Sequence, residues 1–196
     1  MNRIAFFDFD GTITTKDTLL EFIMFSKGRL YFYLGFLLNS PWLLGMKLGI
    51  ISNQKAKERI LTFFFRGMSE SVFQDHCNLF VSDVLPKILR PKALDEMFRL
   101  KKAGVKIVIV SASPEGWIKG WSNRLQADLI ATKLAIRQQA LTGKILGRNC
   151  HGLEKIRRIQ EAYNLHDYQE VLCYGDSKAD LPMLKMGNIS FYKPFR

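Results

Sequence analysis

Two aspartates early in the chain, Asp8 and Asp10, lie two residues apart directly after the apolar run Ile4–Phe7. Gly11 follows them, so the chain can turn there and bring both carboxylates to one small site. Carboxylates placed in this way can act as a nucleophile and as a general acid or base. Taken alone, the segment is also consistent with a plain Asp-Gly turn. An EF-hand loop is excluded, because the spacing of its acidic ligands and its final glutamate are absent.

A second acidic cluster follows another apolar run, Val171–Tyr174. It contains Asp176, Ser177 and Asp180. One interpretation is a chemically active pair of carboxylates, because they follow an apolar run just as Asp8 and Asp10 do. The other is ordinary capping of a helix, with Asp176 or Ser177 as the cap.

Further polar groups follow a third apolar run, Lys106–Val110. There, Ser111, Ala112 and Ser113 offer hydroxyl and backbone N–H groups, which bind phosphate well at the start of a helix. The same residues could serve only as a helix cap. Lys155 lies in a predicted helix at 153–163, where a single lysine is usually solvated, and only its combination with the other groups makes it a candidate.

The three apolar runs show no polar alternation, which is typical of strands buried on both faces of a parallel sheet. Helical patterns, such as the one at 91–103, separate them. Strands alternating with helices predict an α/β fold with a doubly wound, Rossmann-like parallel sheet. Because ligands bind at the carboxyl ends of such strands, we expect Asp8, Ser111 and Asp176 to meet at one edge of the sheet.

The first two predicted strands are too far apart in sequence for a single crossover helix. Four helical patterns fill the interval, at 17–28, at 30–50 with a break near 39–41, at 53–66 and at 69–85. We therefore predict a catalytic core of residues 1–14 plus 91–196, with a helical cap domain of residues 15–90 inserted into it. Alternating apolar residues at 129–147 predict a small β-hairpin flap.

Together these motifs resemble the haloacid dehalogenase-like (HAD) superfamily. The segment DFDGT at 8–12 and the segment GDSKADLPML at 175–184 carry the resemblance, which spans essentially the whole chain. More narrowly, the chain is similar to the phosphoserine phosphatase-like branch, which has a helical cap inserted after the first motif. The resemblance implies an Mg²⁺-dependent phosphatase that hydrolyses a phosphate monoester through an aspartyl-phosphate intermediate.

The resemblance also implies roles for individual residues. Asp8 resembles the nucleophile, and Asp10 resembles the acid that protonates the leaving oxygen and then activates water. The implied magnesium ligands are Asp8, the backbone carbonyl of Asp10, and Asp176. The remaining implied site residues are Thr12 for positioning, Ser111 and Lys155 for holding phosphate, Ala112 and Ser113 for binding substrate, and Ser177 and Asp180 in support of the metal ligands.

The chain departs from phosphoserine phosphatases at two motifs. Those enzymes carry Ser-Gly-Gly where this chain has Ser111-Ala112-Ser113, and Gly-Asp-Gly-x-Asn-Asp where it has residues 175–180. The cap glutamate that reads the amino group of serine would fall near Asp17, which is shorter. These differences argue against phosphoserine as the substrate, but they do not affect the predicted class of reaction.

The amino-acid composition restricts the cellular setting of the protein and the kinds of partner that it could bind. The chain has 196 residues and a formal net charge of +11, which favours an anionic partner such as phosphate, an anionic membrane or nucleic acid. Its three widely spaced cysteines indicate neither a disulfide framework nor a zinc site. The first residues show no signal-peptide pattern, so we expect a reducing, cytoplasmic setting.

Residues 30–51 are the most apolar part of the chain and contain one charge, Lys47. Three interpretations are open: the hydrophobic interior of the cap, an interfacial segment, or a membrane span. In the second, Lys27, Arg29, Lys55 and Lys57 would contact anionic headgroups. The segment resembles the cap of phosphatidylglycerophosphate phosphatases, which implies an amphiphilic or lipid phosphate as substrate and peripheral contact with an anionic membrane.

Other functions also fit parts of the sequence. A small-metabolite phosphatase of the phosphoserine or histidinol-phosphate type is the nearest alternative. A non-catalytic module that binds phosphate or nucleic acid would suit the positive charge, but Asp8, Asp10 and Asp176 would repel phosphate without a metal. The chain also lacks the interleaved basic and aromatic strands of base-stacking sheets, so no nucleic-acid partner is expected. A receiver domain would need neither the cap nor Asp10.

Overall fold

The chain folds around a central parallel β-sheet, seen in a computed structural model that describes residues 2–196. The strands are β1 (Arg3–Phe7), β2 (Lys106–Pro114), β3 (Asp128–Thr132), β4 (Leu134–Arg137), β5 (Ala140–Ile145), β6 (Glu170–Gly175) and β7 (Ile189–Tyr192). Five of them form the sheet in the order β3-β2-β1-β6-β7, and every neighbouring pair is parallel. The predicted doubly wound α/β fold is confirmed.

The sheet separates two apolar layers. Because successive side chains of a strand point to opposite faces, Ala5 and Phe7 pack into the larger cluster while Ile4 and Phe6 pack into the smaller one. The three predicted strands are central and buried, whereas β7 is an exposed edge strand. That exposure explains why β7 does not stand out in the sequence as a continuous apolar run.

Helices surround the sheet on both faces. They are α1 (Thr18–Lys27), α2 (Arg29–Leu38), α3 (Ser40–Lys47), α4 (Asn53–Phe65), α5 (Glu70–Asp83), α6 (Leu85–Ile88), α7 (Pro91–Lys102), α8 (Gly116–Arg124), α9 (Leu153–Ala162) and α10 (Leu181–Met186). Helices α9 and α10 contribute to the smaller apolar cluster, and α1, α4, α5, α7 and α8 contribute to the larger one. Seven helices lie between β1 and β2, and six of them, α1 to α6, fall in the interval 15–90 that was predicted to form the cap; the predicted domain boundaries stay a prediction.

The apolar segment 30–51 is divided between α2 and α3. The break lies at the buried Asn39, whose side-chain amide donates to the carbonyl of Gly35 (2.8 Å) and whose Oδ1 accepts from Arg59 (2.9 Å). Across the described residues, no helix is long and apolar enough to cross a membrane. Residues 30–51 do not form the single long helix that the membrane-span interpretation requires, because they are split between α2 and α3. The interpretation of this segment as cap interior is wrong for most of its side chains, because among residues 30–51 only Phe32, Gly35 and Asn39 are buried.

The predicted hairpin is shorter than expected. Leu129–Thr132 does not belong to it, because these residues form β3 and pair with β2 in the main sheet. The hairpin itself consists of β4 and β5, and both residues of its turn, Gln138 and Gln139, have positive φ. It packs against α4, where Thr62 Oγ1 donates to the carbonyl of Gly143 (3.2 Å). The hairpin, which follows β2 in the sequence, thus packs against a helix that precedes β2.

Candidate active site

The predicted site residues meet at the carboxyl ends of β1, β2 and β6, which are neighbours in the sheet. The backbone N–H of Asp8 donates to the carbonyl of Tyr174 (2.9 Å), so β1 and β6 remain paired up to the first aspartate. The chain then turns at Gly11, which has φ +84°. A Cβ at this position would lie 2.5 Å from Oδ2 of Asp176, so only glycine lets the two acidic segments approach so closely.

A buried network surrounds the Asp8 carboxylate. Its Oδ1 accepts from Lys155 Nζ (2.5 Å), and its Oδ2 accepts from Thr12 Oγ1 (2.9 Å). Lys155 also donates to Oδ1 of Asp180 (2.7 Å), and Asp180 Oδ2 accepts from both the N–H and the hydroxyl of Ser177. The lysine is therefore not solvated: it is 1% exposed and lies between two carboxylates.

The charged groups of this network shift one another's pKa values. Burial would lower the pKa of Lys155, but the nearby charges of Asp8 and Asp180 outweigh burial and raise that pKa. Burial raises the pKa of Asp8 to about 7, against the opposing effect of the Lys155 charge. For Asp180, burial acts in the raising direction, but Lys155 and the hydrogen bonds from Ser177 leave its pKa lowered. Lys155 is thus held as a cation, and Asp180 as an anion.

Hydroxyl groups hold the second aspartate, Asp10. Its Oδ1 accepts from the backbone N–H and the hydroxyl of Thr18 (2.7 and 2.6 Å), and its Oδ2 accepts from Ser113 Oγ (2.6 Å). Trp117 Nε1 donates in turn to Thr18 Oγ1 (3.1 Å). The carboxylate of Asp10 is therefore fixed by groups from α1 and β2, separately from the Lys155 network.

The structural setting of Ser111, Ala112 and Ser113 differs from the sequence-based expectation. Strand β2 continues to Pro114, so Ser111 lies within a strand rather than beside the start of a helix. Its hydroxyl already accepts from the N–H of Ser113 (2.9 Å) and donates to Asp10 Oδ2 (3.4 Å). The carbonyl of Ala112 accepts from Lys57 Nζ (2.9 Å). The structure therefore places these residues next to Asp10 and Lys57.

Three carboxylates could hold a cation. One oxygen from each of Asp8, Asp176 and Asp180 lies within 4.8 Å of the others, and all three residues are buried. An all-oxygen set of this charge fits Mg²⁺, which takes carboxylate oxygens and keeps several waters. All three carboxylates also accept hydrogen bonds: Asp180 accepts from Lys155 and Ser177, and Asp8 accepts from Lys155 and Thr12. Asp176 also contacts Thr12 and the side chain of Arg196.

A cavity of about 350 Å³ opens above these residues. Its floor is polar and includes Asp8, Asp10, Ser113, Lys155 and Asp180. Its wall is apolar and comes from four helices, through Leu19, Leu20, Phe36, Leu43, Met46 and Ile60. A phosphate group on the floor would therefore have an apolar enclosure beside it.

Asp17 lines the same cavity but has a structural use as well. It caps α1, and its Oδ1 accepts from the N–H groups of Leu19 (2.9 Å) and Leu20 (3.2 Å). Removal from water raises the pKa of Asp17, and the nearby charge of Asp10 raises it further. The predicted substrate-reading role thus falls on a carboxylate that also stabilises the start of a helix.

The position of Lys57 in the cavity was not predicted from the sequence. We expected this lysine to flank a membrane segment, but it lines the cavity, donates to the Ala112 carbonyl and lies 3.5 Å from Asn149 Oδ1. Burial lowers its pKa, while the charges of Asp10 and Asp17 act in the opposite direction. Helical spacing could have located it, because it shares one face of α4 with the cavity-lining residues Asn53, Ala56 and Ile60.

Known proteins of similar sequence identify the family of this chain. A family model described as haloacid dehalogenase-like hydrolase matches residues 5–185. Protein CicA of Caulobacter vibrioides is 30% identical over 192 residues, which cover 97% of this chain and 85% of that protein. The chain therefore belongs to the haloacid dehalogenase-like hydrolase family, and the prediction of this family is confirmed.

Solved structures share the fold. A protein of unknown function from Bordetella pertussis Tohama I superposes with a TM-score of 0.80 at 21% identity, over 97% of this chain and 89% of that one. A substrate-bound phosphoserine phosphatase gives a TM-score of 0.65 at 18% identity, over 98% and 86% of the two chains. The fold of the phosphoserine phosphatase-like branch is therefore present in essentially the whole chain.

Proposed function

We propose that the protein is an Mg²⁺-dependent phosphatase that hydrolyses a phosphate monoester through a covalent intermediate on Asp8. The observation that supports this proposal best is the setting of Asp8, which is buried on the cavity floor between Lys155 and Thr12. Family membership and the phosphoserine phosphatase fold support the same reaction class.

In the proposed first step, a carboxylate oxygen of Asp8 attacks phosphorus and the bond from phosphorus to the ester oxygen breaks. Asp10 donates its proton to the departing oxygen. Lys155 and the Ser111 hydroxyl offset charge on the phosphoryl oxygens, and Thr12 orients Asp8. When bound by Asp8, the Asp10 carbonyl and Asp176, Mg²⁺ would supply positive charge that reduces repulsion between the nucleophile and the phosphate.

In the second step, water attacks the aspartyl-phosphate and gives its proton to Asp10. Phosphate leaves, and Asp8 is restored as a carboxylate. The hydrogen bonds from Thr18 and Ser113 would keep Asp10 in place through both steps. Asp180 and Ser177 would keep Lys155 and Asp176 in position.

Phosphate release from p-nitrophenyl phosphate tests the mechanism. Asp8→Asn keeps the shape of the side chain but removes the nucleophile, so we expect no turnover above background. The control is Asp167→Asn, an equal change on an exposed side chain outside the cavity, which should leave the rate unchanged. Chelation with EDTA should abolish activity, and added Mg²⁺ should restore it. Turnover by Asp8→Asn, or full activity in EDTA, would refute the mechanism.

We further propose that the leaving group is amphiphilic, such as a lipid phosphate. The apolar cavity wall supports this, because it offers six hydrophobic side chains to whatever is attached to the phosphate. Lys57 adds one positive charge, which suits a leaving group that carries an anionic or polar group. Residues 15–90 would then form the cap that reads the leaving group, over a core of residues 1–14 and 91–196.

A phosphoserine-type substrate is the second candidate. Asp17 and Lys57 both line the cavity, and this pair of opposite charges could receive the ammonium and carboxylate groups of an amino acid. A panel of phosphate esters separates the two candidates: phosphoserine and histidinol phosphate on one side, and alkyl phosphates of increasing chain length on the other. If kcat/KM does not rise with chain length, the amphiphilic substrate is refuted.

A further inference from the structure

The outward side of α2 and α3, with the turn that follows α3, is an unusually apolar surface. Leu30, Leu37 and Ile50 are 85%, 70% and 77% exposed. The surface, called the α2–α3 face below, consists of the exposed side chains of Leu30, Tyr33, Leu34, Leu37, Leu38, Leu44, Leu48 and Ile50. Contiguous exposed apolar surface of this kind marks an interaction site rather than ordinary solvent contact.

The charged residues next to the α2–α3 face in the sequence are all positive. No Asp or Glu occurs from residue 22 to residue 57. Arg29, Lys47 and Lys55 are exposed, and none of them forms an ion pair within the described residues. An apolar surface with unpaired cations at its border suits the interface of an anionic lipid bilayer, where acyl chains meet negative headgroups.

The face is continuous with the candidate active site. The same two helices contribute Phe36, Leu43 and Met46 to the apolar wall of the cavity. One side of α2 and α3 therefore borders the cavity, while the other is exposed. A protein resting on this face would hold its cavity beside the membrane surface.

We propose that the α2–α3 face docks on anionic membranes and so presents the cavity to phosphate esters held in the bilayer. This proposal deepens the proposed function and rests on it for the identity of the substrate. The docking itself depends only on the face.

A second copy of the chain fits the α2–α3 face less well than an anionic membrane does. In a two-fold dimer, the same patch contributes from both subunits, so Arg29, Lys47 and Lys55 would border the same three cations of the other copy. No carboxylate in the segment could compensate them. A bilayer containing phosphatidylglycerol supplies the missing negative charge.

Sedimentation with lipid vesicles tests the docking without any use of catalysis. We expect the purified protein to bind vesicles that contain phosphatidylglycerol and to bind much less to phosphatidylcholine alone. Because exposed charges are screened by salt, binding should weaken as ionic strength rises. Equal binding to both kinds of vesicle, or no binding at low salt, would overturn the proposal.

Two variants separate the apolar and electrostatic contributions. Leu30→Glu combined with Leu37→Glu should weaken binding by about tenfold or more, because it places carboxylates where acyl chains would lie. Its control is Leu79→Glu on α5, also exposed but outside the face. Arg29→Gln, Lys47→Gln and Lys55→Gln together should weaken binding on the order of a hundredfold, at roughly fivefold for each charge near the surface. The control for net charge replaces Lys92, Lys102 and Lys185, all exposed, with Gln.

These measurements also distinguish failure of the docking from failure of the proposed function. All the variants should hydrolyse p-nitrophenyl phosphate like the unaltered protein, since the changed residues lie outside the cavity lining. Unchanged vesicle binding by both face variants would overturn the docking and leave the phosphatase intact. A lipid-free dimer in light scattering that Leu30→Glu and Leu37→Glu dissociate would instead assign the face to a second copy. An inactive protein that still binds vesicles would refute only the catalytic proposal.

Discussion

The contact between the β4–β5 hairpin and α4 leads to a prediction with a built-in control. Gly143 has φ +76°, and a Cβ there would lie 2.3 Å from Cα of Thr62 on α4. Gly147 has almost the same backbone conformation, φ +77°, but a Cβ there would meet nothing within 4 Å. Alanine at the two positions therefore carries the same conformational penalty, and only at Gly143 does it also collide with backbone.

The magnitudes follow from these two terms. A left-handed conformation costs a residue with a Cβ about 1–2 kcal/mol relative to glycine, which is the expected loss for Gly147→Ala. Forcing an extra methyl group into packed backbone adds about 1–3 kcal/mol, so Gly143→Ala should lose about 2–5 kcal/mol of unfolding free energy. For a chain of this size, a difference of about 2 kcal/mol between the variants corresponds to a Tm difference of about 4–8 °C.

Urea denaturation followed by circular dichroism measures both variants against the unaltered protein. The difference between Gly143→Ala and Gly147→Ala isolates the packing of the hairpin on α4, because the backbone strain cancels. Since α4 also carries Lys57, a displaced hairpin should raise KM for the preferred ester. If both variants lose the same unfolding free energy within experimental error, the close approach of the hairpin to α4 does not contribute to stability and the reasoning is refuted.

Three further predictions concern the site. Lys155→Met should abolish phosphate release and lower the unfolding free energy by about 3–5 kcal/mol, because it leaves Asp8 and Asp180 buried without their cation; a loss in urea denaturation below about 1 kcal/mol would contradict this. Lys57→Ala should raise KM by about tenfold with a smaller effect on kcat, since its ammonium group meets the leaving group rather than the reacting phosphate, and Lys57→Arg should recover most of the loss in steady-state assays. Gly11→Ala should raise the Mg²⁺ concentration needed for half-maximal activity by about tenfold, because its Cβ would displace Asp176; an unchanged Mg²⁺ titration would show that Asp176 is not a ligand.

Much of the fold was predictable from local patterns. β1, β2 and β6 are apolar runs buried on both faces, and their shortness and the polar residue that ends each run favour parallel strands. Edge strands carry less signal, which is why β7 was missed and β3 was assigned to the hairpin. Their pairing depends on neighbours that are distant in sequence, such as β2 for β3.

The candidate active site, like the fold, was predictable only in part. The sequence by itself placed Asp8, Asp10, Asp176 and Asp180 at one edge of the sheet, because the ends of adjacent parallel strands must meet. It could not show that Lys155 lies between Asp8 and Asp180, since a lone helical lysine is solvated unless distant carboxylates surround it.

Only the tertiary structure decided how the apolar segment 30–51 is used. The sequence determined that it is hydrophobic and bordered by cations, but a run of apolar residues reads the same whether it is buried, exposed or in a membrane. Packing of α2 and α3 turned Phe36, Leu43 and Met46 towards the cavity and left Leu30, Leu37 and Ile50 exposed. The same packing brought Lys57 into the cavity. Burial is a property of the neighbours that a side chain acquires on folding, and those neighbours are far away in the sequence.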